Sequence, residues 1–513
     1  MQGQITISSF QWWLSYDKRV WQEWAFWNSK NIQYSKDSWY IELSPWVSSY
    51  FTMDAISLWI GQPVAVTYWW STWGSPVNDL VVISSNGKII TPSWWVTFTM
   101  STSPWCVNIA EANNKKYILS QSAIHEFVST TSVTHLLNFW TSETARPVLN
   151  FYWDLIIWDW YQVCRYNKDG TLISYSTTIE WPVIGWLAGK VRAITQIWPN
   201  VYVWTTDDVN TYLYIWDWLT SRPTQRIDYK DVSVRNVAIL WNQHYWWGMK
   251  WNLWVSEKSI RYIYIGDSYQ PTLIAKSDYL NVPFRTYLDS DSNRIGVTEN
   301  NYWTVGAIET INDKVILPWP RSLYTLGQYF PWQPYSLNRE YSFQTPDDWG
   351  DICPYFIYTG ASSQDWQDIS PFITFLYRSA HNVYNVGIIN LSQTTSTVPF
   401  IFSSSGFVET LTYDSRDTLQ WEDAKKLVVP FYLPHSSTSI DCYVRKNEWS
   451  YTLVKTINTT SYALGFWTAE IWLGEIGNWK NIQMKFELIT SNTAYSPRLW
   501  KWITLYFEST WKM

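Results

Sequence analysis

The chain has 513 residues, a formal net charge of −6 and only 16% charged side chains. A mildly acidic, charge-poor chain without a cluster of Lys and Arg excludes a reader of the nucleic-acid backbone, which needs concentrated positive charge. The length allows two or three domains, and the wealth of Ser, Thr, Asn, Tyr, Ile and Val favours strands over helices.

Residues 1–50 lack a regular pattern and are expected to form an extended arm or a ring-closing segment. The opening Met1-Gln-Gly-Gln-Ile-Thr-Ile has no basic stretch leading into an apolar one, so no signal peptide is read. No apolar run approaches a membrane span. Across 51–411, short alternating runs recur with polar turns between them. Examples are Pro63-Val-Ala-Val-Thr-Tyr68 with Asp79-Leu-Val-Val-Ile83, Val107–Leu119, Val148–Ile157, Val191–Val203, Val237–Tyr245 and Val305–Leu317. Their step centres on roughly 40 to 50 residues, the span of a four-stranded propeller blade. One blade cannot bury both its faces, whereas a ring of blades buries them against each other. Tyr212-Leu-Tyr-Ile-Trp-Asp217 and Tyr262-Ile-Tyr-Ile-Gly-Asp267 read as two copies of one strand end. The texture changes near 412. Leu427–Tyr432, Ser439–Val444, Tyr451–Thr456, Asn481–Leu488 and Ile503–Phe507 alternate apolar and polar residues, as strands of a compact sandwich do. The expected fold is all-β: a β-propeller of six or seven blades over 51–411, then a β-sandwich over 412–513.

The tryptophans complicate this pattern. There are 42 of them and only 19 glycines, where an average chain of this length holds roughly 36 glycines. Many stand where a turn wants glycine: Asp159-Trp160, Asp217-Trp218, Asp365-Trp366, Asn478-Trp479, Pro45-Trp46, Pro104-Trp105, Pro318-Trp319 and Pro331-Trp332. Asn-Gly and Asp-Gly supply the positive φ of tight hairpins, and a bulky side chain resists it. The orthodox pairs Asn86-Gly87 and Asp169-Gly170 also occur, and the four Trp-Trp pairs at 12–13, 69–70, 94–95 and 246–247 sit in loop-like gaps. Many of these tryptophans are therefore expected to mark glycine positions, although Trp349 and Trp421 lie where glycine is not demanded.

Catalytic and metal-binding motifs are sparse. The histidines (His125, His135, His244, His381, His435) show no metal-binding spacing and read as loop or surface residues. The cysteines (Cys106, Cys164, Cys353, Cys442) are far apart and read as free buried thiols. Asp289, Asp291 and Asn293 match positions 1, 3 and 5 of a calcium loop, but Arg294 and Asn300 replace its glycine and final glutamate. The adjacent acids Asp207-Asp208, Asp347-Asp348 and Glu422-Asp423 read as turn residues, because glycoside hydrolysis needs two carboxylates facing each other across a cleft. No catalytic residue and no cofactor is expected.

Three stretches together resemble a known kind of protein. Ser9-Phe-Gln-Trp-Trp-Leu-Ser-Tyr-Asp-Lys-Arg19 with Trp24-Ala-Phe-Trp-Asn-Ser-Lys-Asn-Ile-Gln33, read with glycine at Trp12, Trp13, Trp24 and Trp27, is similar to the opening of tailed-phage virion proteins. The propeller-like middle is the second stretch. The third runs from Asp423-Ala-Lys-Lys-Leu-Val-Val429, through Asn447-Glu-Trp-Ser-Tyr-Thr-Leu453, to Ser496-Pro-Arg-Leu-Trp-Lys-Trp-Ile-Thr-Leu-Tyr506, and resembles their carboxy-terminal sandwich. Some bacterial lineages and their phages read the UGA codon as glycine, which would write Trp at glycine positions under another code. The resemblance implies a non-enzymatic, tail-associated virion protein, assembled in the host cytoplasm. Its partners would be other virion proteins, further copies of itself among them, with no nucleic acid and no membrane. The alternative is a carbohydrate-binding or glycoside-hydrolysing propeller whose aromatic side chains stack on sugar faces.

Overall fold

The computed structural model describes residues 2–7, 13–14, 25–34, 40–54, 61–68, 80–91, 95–101, 105–112, 115–139, 141–143, 146–151, 154–159, 162–166, 187–217, 222–240, 242–250, 260–276, 287–288, 294–295, 309–311, 314–319, 322–327, 336–342, 353–362, 370–380, 383–391, 400–414, 420–447, 449–474 and 478–511. Every regular element among them is a β-strand. Six strands open the chain: β1 (Gln2–Ile7), β2 (Trp13–Leu14), β3 (Ala25–Lys30), β4 (Ile32–Tyr34), β5 (Tyr40–Leu43) and β6 (Val47–Asp54).

Among the described residues, seven antiparallel sheets of three or four strands follow in sequence, with a two-stranded pair, Tyr287–Leu288 and Arg294–Ile295, between the fifth and the sixth. Within each, consecutive strands are neighbours: 63–99, 106–138, 148–166, 190–229, 233–276, 309–342 and 353–390. Six contain four strands, and 148–166 contributes three described ones. The fourth strand of the last sheet is β6, which pairs with Val383–Asn390 in the register Asp54↔Val383 to Val47↔Ile389. The first strand of each sheet lies beside the first strand of the next, and Cys353–Ser362 lies beside Pro63–Tyr68, which closes the ring.

Packing between blades explains why their strands are apolar on both faces. Leu80-Val-Val-Ile-Ser84 is buried at every position, as a strand covered on both sides must be. Each core cluster of the ring is shared by two neighbouring sheets. Met53, Leu376 and Val386 of the closing blade, for example, pack on Ala65, Val82 and Ile90 of the first.

The described residues among 2–43 are not a free arm. They complete a sandwich whose other strands lie after 404. One layer joins β1, β4 and β5 to Gln420–Leu433, Gly465–Trp472, Asn478–Trp479, Arg498–Trp500 and Ile503–Trp511. The other joins β2 and β3 to Ser405–Thr410, Tyr413–Asp414, Thr438–Lys446, Thr452–Ile457 and Asn481–Thr490. The cause is burial: Ile32, Ile41 and Leu43 sit in one core with Leu427, Phe431, Phe486, Leu499 and Leu505. The sandwich therefore draws on both ends of the chain rather than on 412–513 alone.

The chain enters and leaves the ring through one narrow joint. Trp46 N–H donates to Ile401 O at 2.8 Å, and Ser403 N–H donates to Ser44 O at 2.9 Å. Beside this joint, Ser29 Oγ donates to Asn338 Oδ1 at 2.6 Å, and Asn338 Nδ2 donates to Ile32 O at 3.0 Å.

Left-handed backbone falls mostly where sequence chemistry allows it. Among the described residues, the non-glycine positions with positive φ are Asn31, Asp208, Asp231, Asn242, Asn447 and Trp502 (φ 67°). Asn and Asp tolerate this region, so Trp502 is the exception. At Asn86-Gly87 only Gly87 is left-handed (φ 76°), and its N–H closes a turn on Ser84 O. Several expected turn positions lie in strands instead, Pro318-Trp319, Trp13 and Trp95 among them. Asn478-Trp479 pairs with Glu422-Asp423, and Trp479 is fully buried. Trp246-Trp247 lies buried inside Gln243–Lys250.

Candidate functional site

The residues singled out by sequence are not gathered in one place. Asp289, Asp291, Asn293, His381 and Asp347-Asp348 lie outside the described residues. Asp207 caps the turn 207–210 by accepting from Val209 N–H (2.9 Å) and Asn210 N–H (2.6 Å), and from Tyr212 Oη–H (2.6 Å). Asp208 pairs with the buried Arg192 at 3.3 Å, and Asp423 pairs with Lys425 at 2.8 Å. Asp207 and Asp208 serve a turn and an ion pair, whereas Glu422-Asp423, expected in a turn, lies within the strand Gln420–Leu433. Cys106 and Cys442 are buried free thiols, and burial pushes the Cys106 thiol up to about 12.

Two histidines depart from the expected loop or surface placement. His244 is fully buried between the fourth and fifth blades because it joins a hydrogen-bond chain that crosses them. Trp204 Nε1–H donates to Thr195 Oγ1 at 3.3 Å, and Thr195 Oγ1 lies 3.0 Å from His244 Nε2. His244 Nδ1 lies 3.3 Å from Asp267 Oδ2. Burial holds the His244 pKa below its usual value despite the opposing pull of Asp267, so the ring is neutral at pH 7. With Nδ1 protonated, every donor in the chain has an acceptor. Aromatic rings lie beside it: Tyr202 is tilted against His244 at 4.4 Å, and Trp246 stacks on Tyr264 at 4.4 Å. A Thr-His-Asp order also serves nucleophilic catalysis, but here Thr195 is buried and its hydroxyl is engaged by both Trp204 and His244, so the chain ties two blades together. The sequence signal was present in part, since Asp267 ends the repeated Tyr-Ile-Gly-Asp stretch. Thr195→Val is expected to leave two buried polar atoms unpaired, at about 1–3 kcal/mol each, and so to lower the midpoint of urea unfolding. An unchanged midpoint would show that the chain adds no stability.

His125 is buried on the second blade opposite His135, with ring centroids 5.2 Å apart. Burial, then the charge of His135, lowers its pKa to about 4. The unfolded chain takes up a proton below about 6.5, and the folded one does not until about 4, so stability falls as pH drops through that window. His244 acts in the same direction. Asp267, held low mainly by its hydrogen bond to His244, gives up its own contribution only at more acid pH. Thermal midpoints should therefore fall between pH 6.5 and 4, and His125→Gln should flatten that limb. An equally steep limb in the variant would count against His125.

The exposed chemistry lies on the outer face of the first sandwich layer. In Gln420–Leu433, Leu427, Val429, Phe431 and Leu433 enter the core, so by alternation Lys426, Val428 and Tyr432, each half-buried, lie on the outer face. Tyr432 pairs with Phe466 on one side and Arg498 on the other, and Arg498 pairs with Glu42 of β5. The Arg498 guanidinium lies 4.7 Å from the Tyr40 ring and 5.6 Å from that of Tyr432. Its Nε donates to Glu42 Oε2 at 2.9 Å, and Gln33 Nε2 donates to Glu42 Oε1 at 3.1 Å. Trp500 lies 5.3 Å from both Tyr40 and Phe466. Further along, Lys426 pairs with Glu470 at 2.6 Å and lies near the rings of Trp472 and Tyr506. Phe466 and Trp472 are 56% and 76% exposed. Of these residues sequence alternation placed only Tyr432 and Tyr506 on strands, and cross-strand register was needed to bring the group together.

No protein-family model matches the chain, and no curated protein does. Among solved structures it is similar to the Dos1 propeller, at 9% identity over 73% of this chain and 96% of that one, with a TM-score of 0.38. It is also similar to an exo-beta-1,3-galactanase from Phanerochaete chrysosporium solved with galactose (10% identity, 86% and 100% coverage, TM-score 0.28). The WD40 domain of SCAP from fission yeast is a third (7%, 87% and 99%, TM-score 0.27). Likeness at this level says nothing of activity.

Proposed function

We propose that this chain is a non-enzymatic structural protein of a tailed-phage virion, associated with the tail and acting through contacts with other virion proteins. The observation that carries this reading is the closure of the polar clusters within the fold. The Trp204–Thr195–His244–Asp267 chain and the Lys314–Glu340–Thr325 cluster each pair charges and donors with acceptors inside the fold. Such closure suits a rigid building block, and the similarity of the opening and closing stretches to virion proteins supports the class. On the same reading, tryptophans at turn positions stand for glycines encoded by UGA. Peptide mass spectrometry of purified particles tests both parts. The protein should be a particle component, with glycine at positions such as Trp502. Its presence in infected cells but absence from particles would sink the virion role, and tryptophan throughout would sink the recoding. A second reading, carbohydrate recognition, is favoured by one observation: Tyr40, Tyr432, Phe466, Trp472 and Trp500 share a single exposed sheet face.

A further inference from the structure

We propose that the outer face of the first sandwich layer, around Tyr40, Tyr432, Phe466 and Arg498, binds a neutral pyranose chain. This deepens the carbohydrate reading and moves the site from the propeller to the sandwich. It stands independently of the virion role.

The face combines the two things a sugar requires. A pyranose ring has an apolar C–H face and a rim of hydroxyls. Aromatic rings meet the first by stacking, with their own polar edges left in water. Phe466, Tyr432 and Arg498 are direct cross-strand neighbours, and adjacent strands lie about 4.8 Å apart. They form a row of flat groups long enough for more than one sugar ring. None of these three is a tryptophan, nor is Tyr40, so the row itself is present whichever residue the tryptophan codons specify.

The hydroxyl rim is met by the row Gln33–Glu42–Arg498. Glu42 is buried and held by Gln33 and Arg498 through separate oxygens. Arg498 spends its Nε on Glu42 and retains donors on its two terminal nitrogens. Its plane is positioned by the rings of Tyr40 and Tyr432.

Charge selects the ligand class. Arg498 is matched by Glu42 and Lys426 by Glu470, so neither cation beside the rings is spare for an acidic sugar. The centre of a protein interface is depleted in charged residues, whereas this face carries two ion pairs beside its rings. A neutral polyol can bond to paired charges without separating them.

The test uses the full chain. Affinity electrophoresis through gels holding soluble mannan, mixed-linkage β-glucan, dextran or galactan should retard it in at least one. Calorimetry with an oligosaccharide of the retained type then gives the association constant. Phe466→Ala and Tyr432→Ala should each weaken binding by about tenfold. Phe466→Trp should keep it, and Leu453→Ala, on an edge strand of the other layer, should leave it unchanged. If Tyr432→Ala lowers the thermal midpoint, the more exposed Phe466 carries the comparison, with Phe466→Ser as a second variant. Retardation by none of the four glycans overturns the proposal. So does retardation by polygalacturonate alone, or binding that is indifferent to Phe466 and Tyr432. Particle composition does not bear on any of these results, so failure here leaves the virion role standing.

Discussion

Removing residues 2–43 is expected to unfold the sandwich while the seven-bladed ring stays folded. Ile32, Ile41 and Leu43 are fully buried in the sandwich core, and burial of each such side chain contributes about 1.5–3 kcal/mol. Their sum approaches the about 5–15 kcal/mol that stabilises a whole domain. The deletion also strips β1 from the last strand, β5 from Arg498–Trp500 and β3 from Ser405–Thr410. The ring keeps all its strands, because its closing strand β6 begins at Val47. Limited proteolysis of the truncated chain should cut throughout 405–511 and spare the blades. A peptide spanning 2–46, added in trans, should restore protection. Protection of 405–511 without the peptide would show that the C-terminal strands suffice.

The second large effect separates one tryptophan from another. Trp204→Ala is expected to cost about 3–5 kcal/mol, the usual range for emptying a large aromatic site in a core. Trp204 is fully buried, lies 5.5 Å from Trp246 and 6.3 Å from Tyr229, and bonds Thr195 through its indole N–H. Trp502→Gly should do the opposite and stabilise by about 1–2 kcal/mol, since a side chain in the left-handed region carries roughly that penalty. Trp502 is half exposed with φ 67°, so little packing is lost. Urea unfolding of the two variants should shift the midpoint in opposite directions. A destabilised Trp502→Gly would mean that its indole packs well enough to outweigh the backbone.

Local pattern carried much of the architecture. The runs 427–432, 439–444, 481–488 and 503–507 each fall within a sandwich strand, because one face of each strand is buried and alternation records it. The ring was legible for a related reason: a blade is a local unit of consecutive hairpins. What local pattern cannot carry is partnership over long separations. β6 closes the ring against Val383–Asn390, and Glu42 pairs with Arg498, and neither pairing leaves a trace in the intervening sequence. The same holds for the hydrogen-bond chain, whose members Thr195, His244 and Asp267 come from two blades. Histidine spacing suggested nothing there, because the neighbour that buries His244 is a different sheet.

The joint at Ser44 and Ser403 also sets an order of assembly. The N-terminal strands leave the ribosome first, yet their partners are made last. Joining the ends of a long flexible chain carries an entropic cost that rises with loop length, and non-local pairing of this kind is slow. A folded ring changes the problem. It brings Ser44 and Ser403 within hydrogen-bonding distance, so the two halves of the sandwich meet as if joined by a short turn. The propeller is then an intramolecular chaperone for the sandwich. Ring mutations that slow blade closure would prolong the time that β1–β5 stay exposed, when unpaired strands are most prone to aggregate.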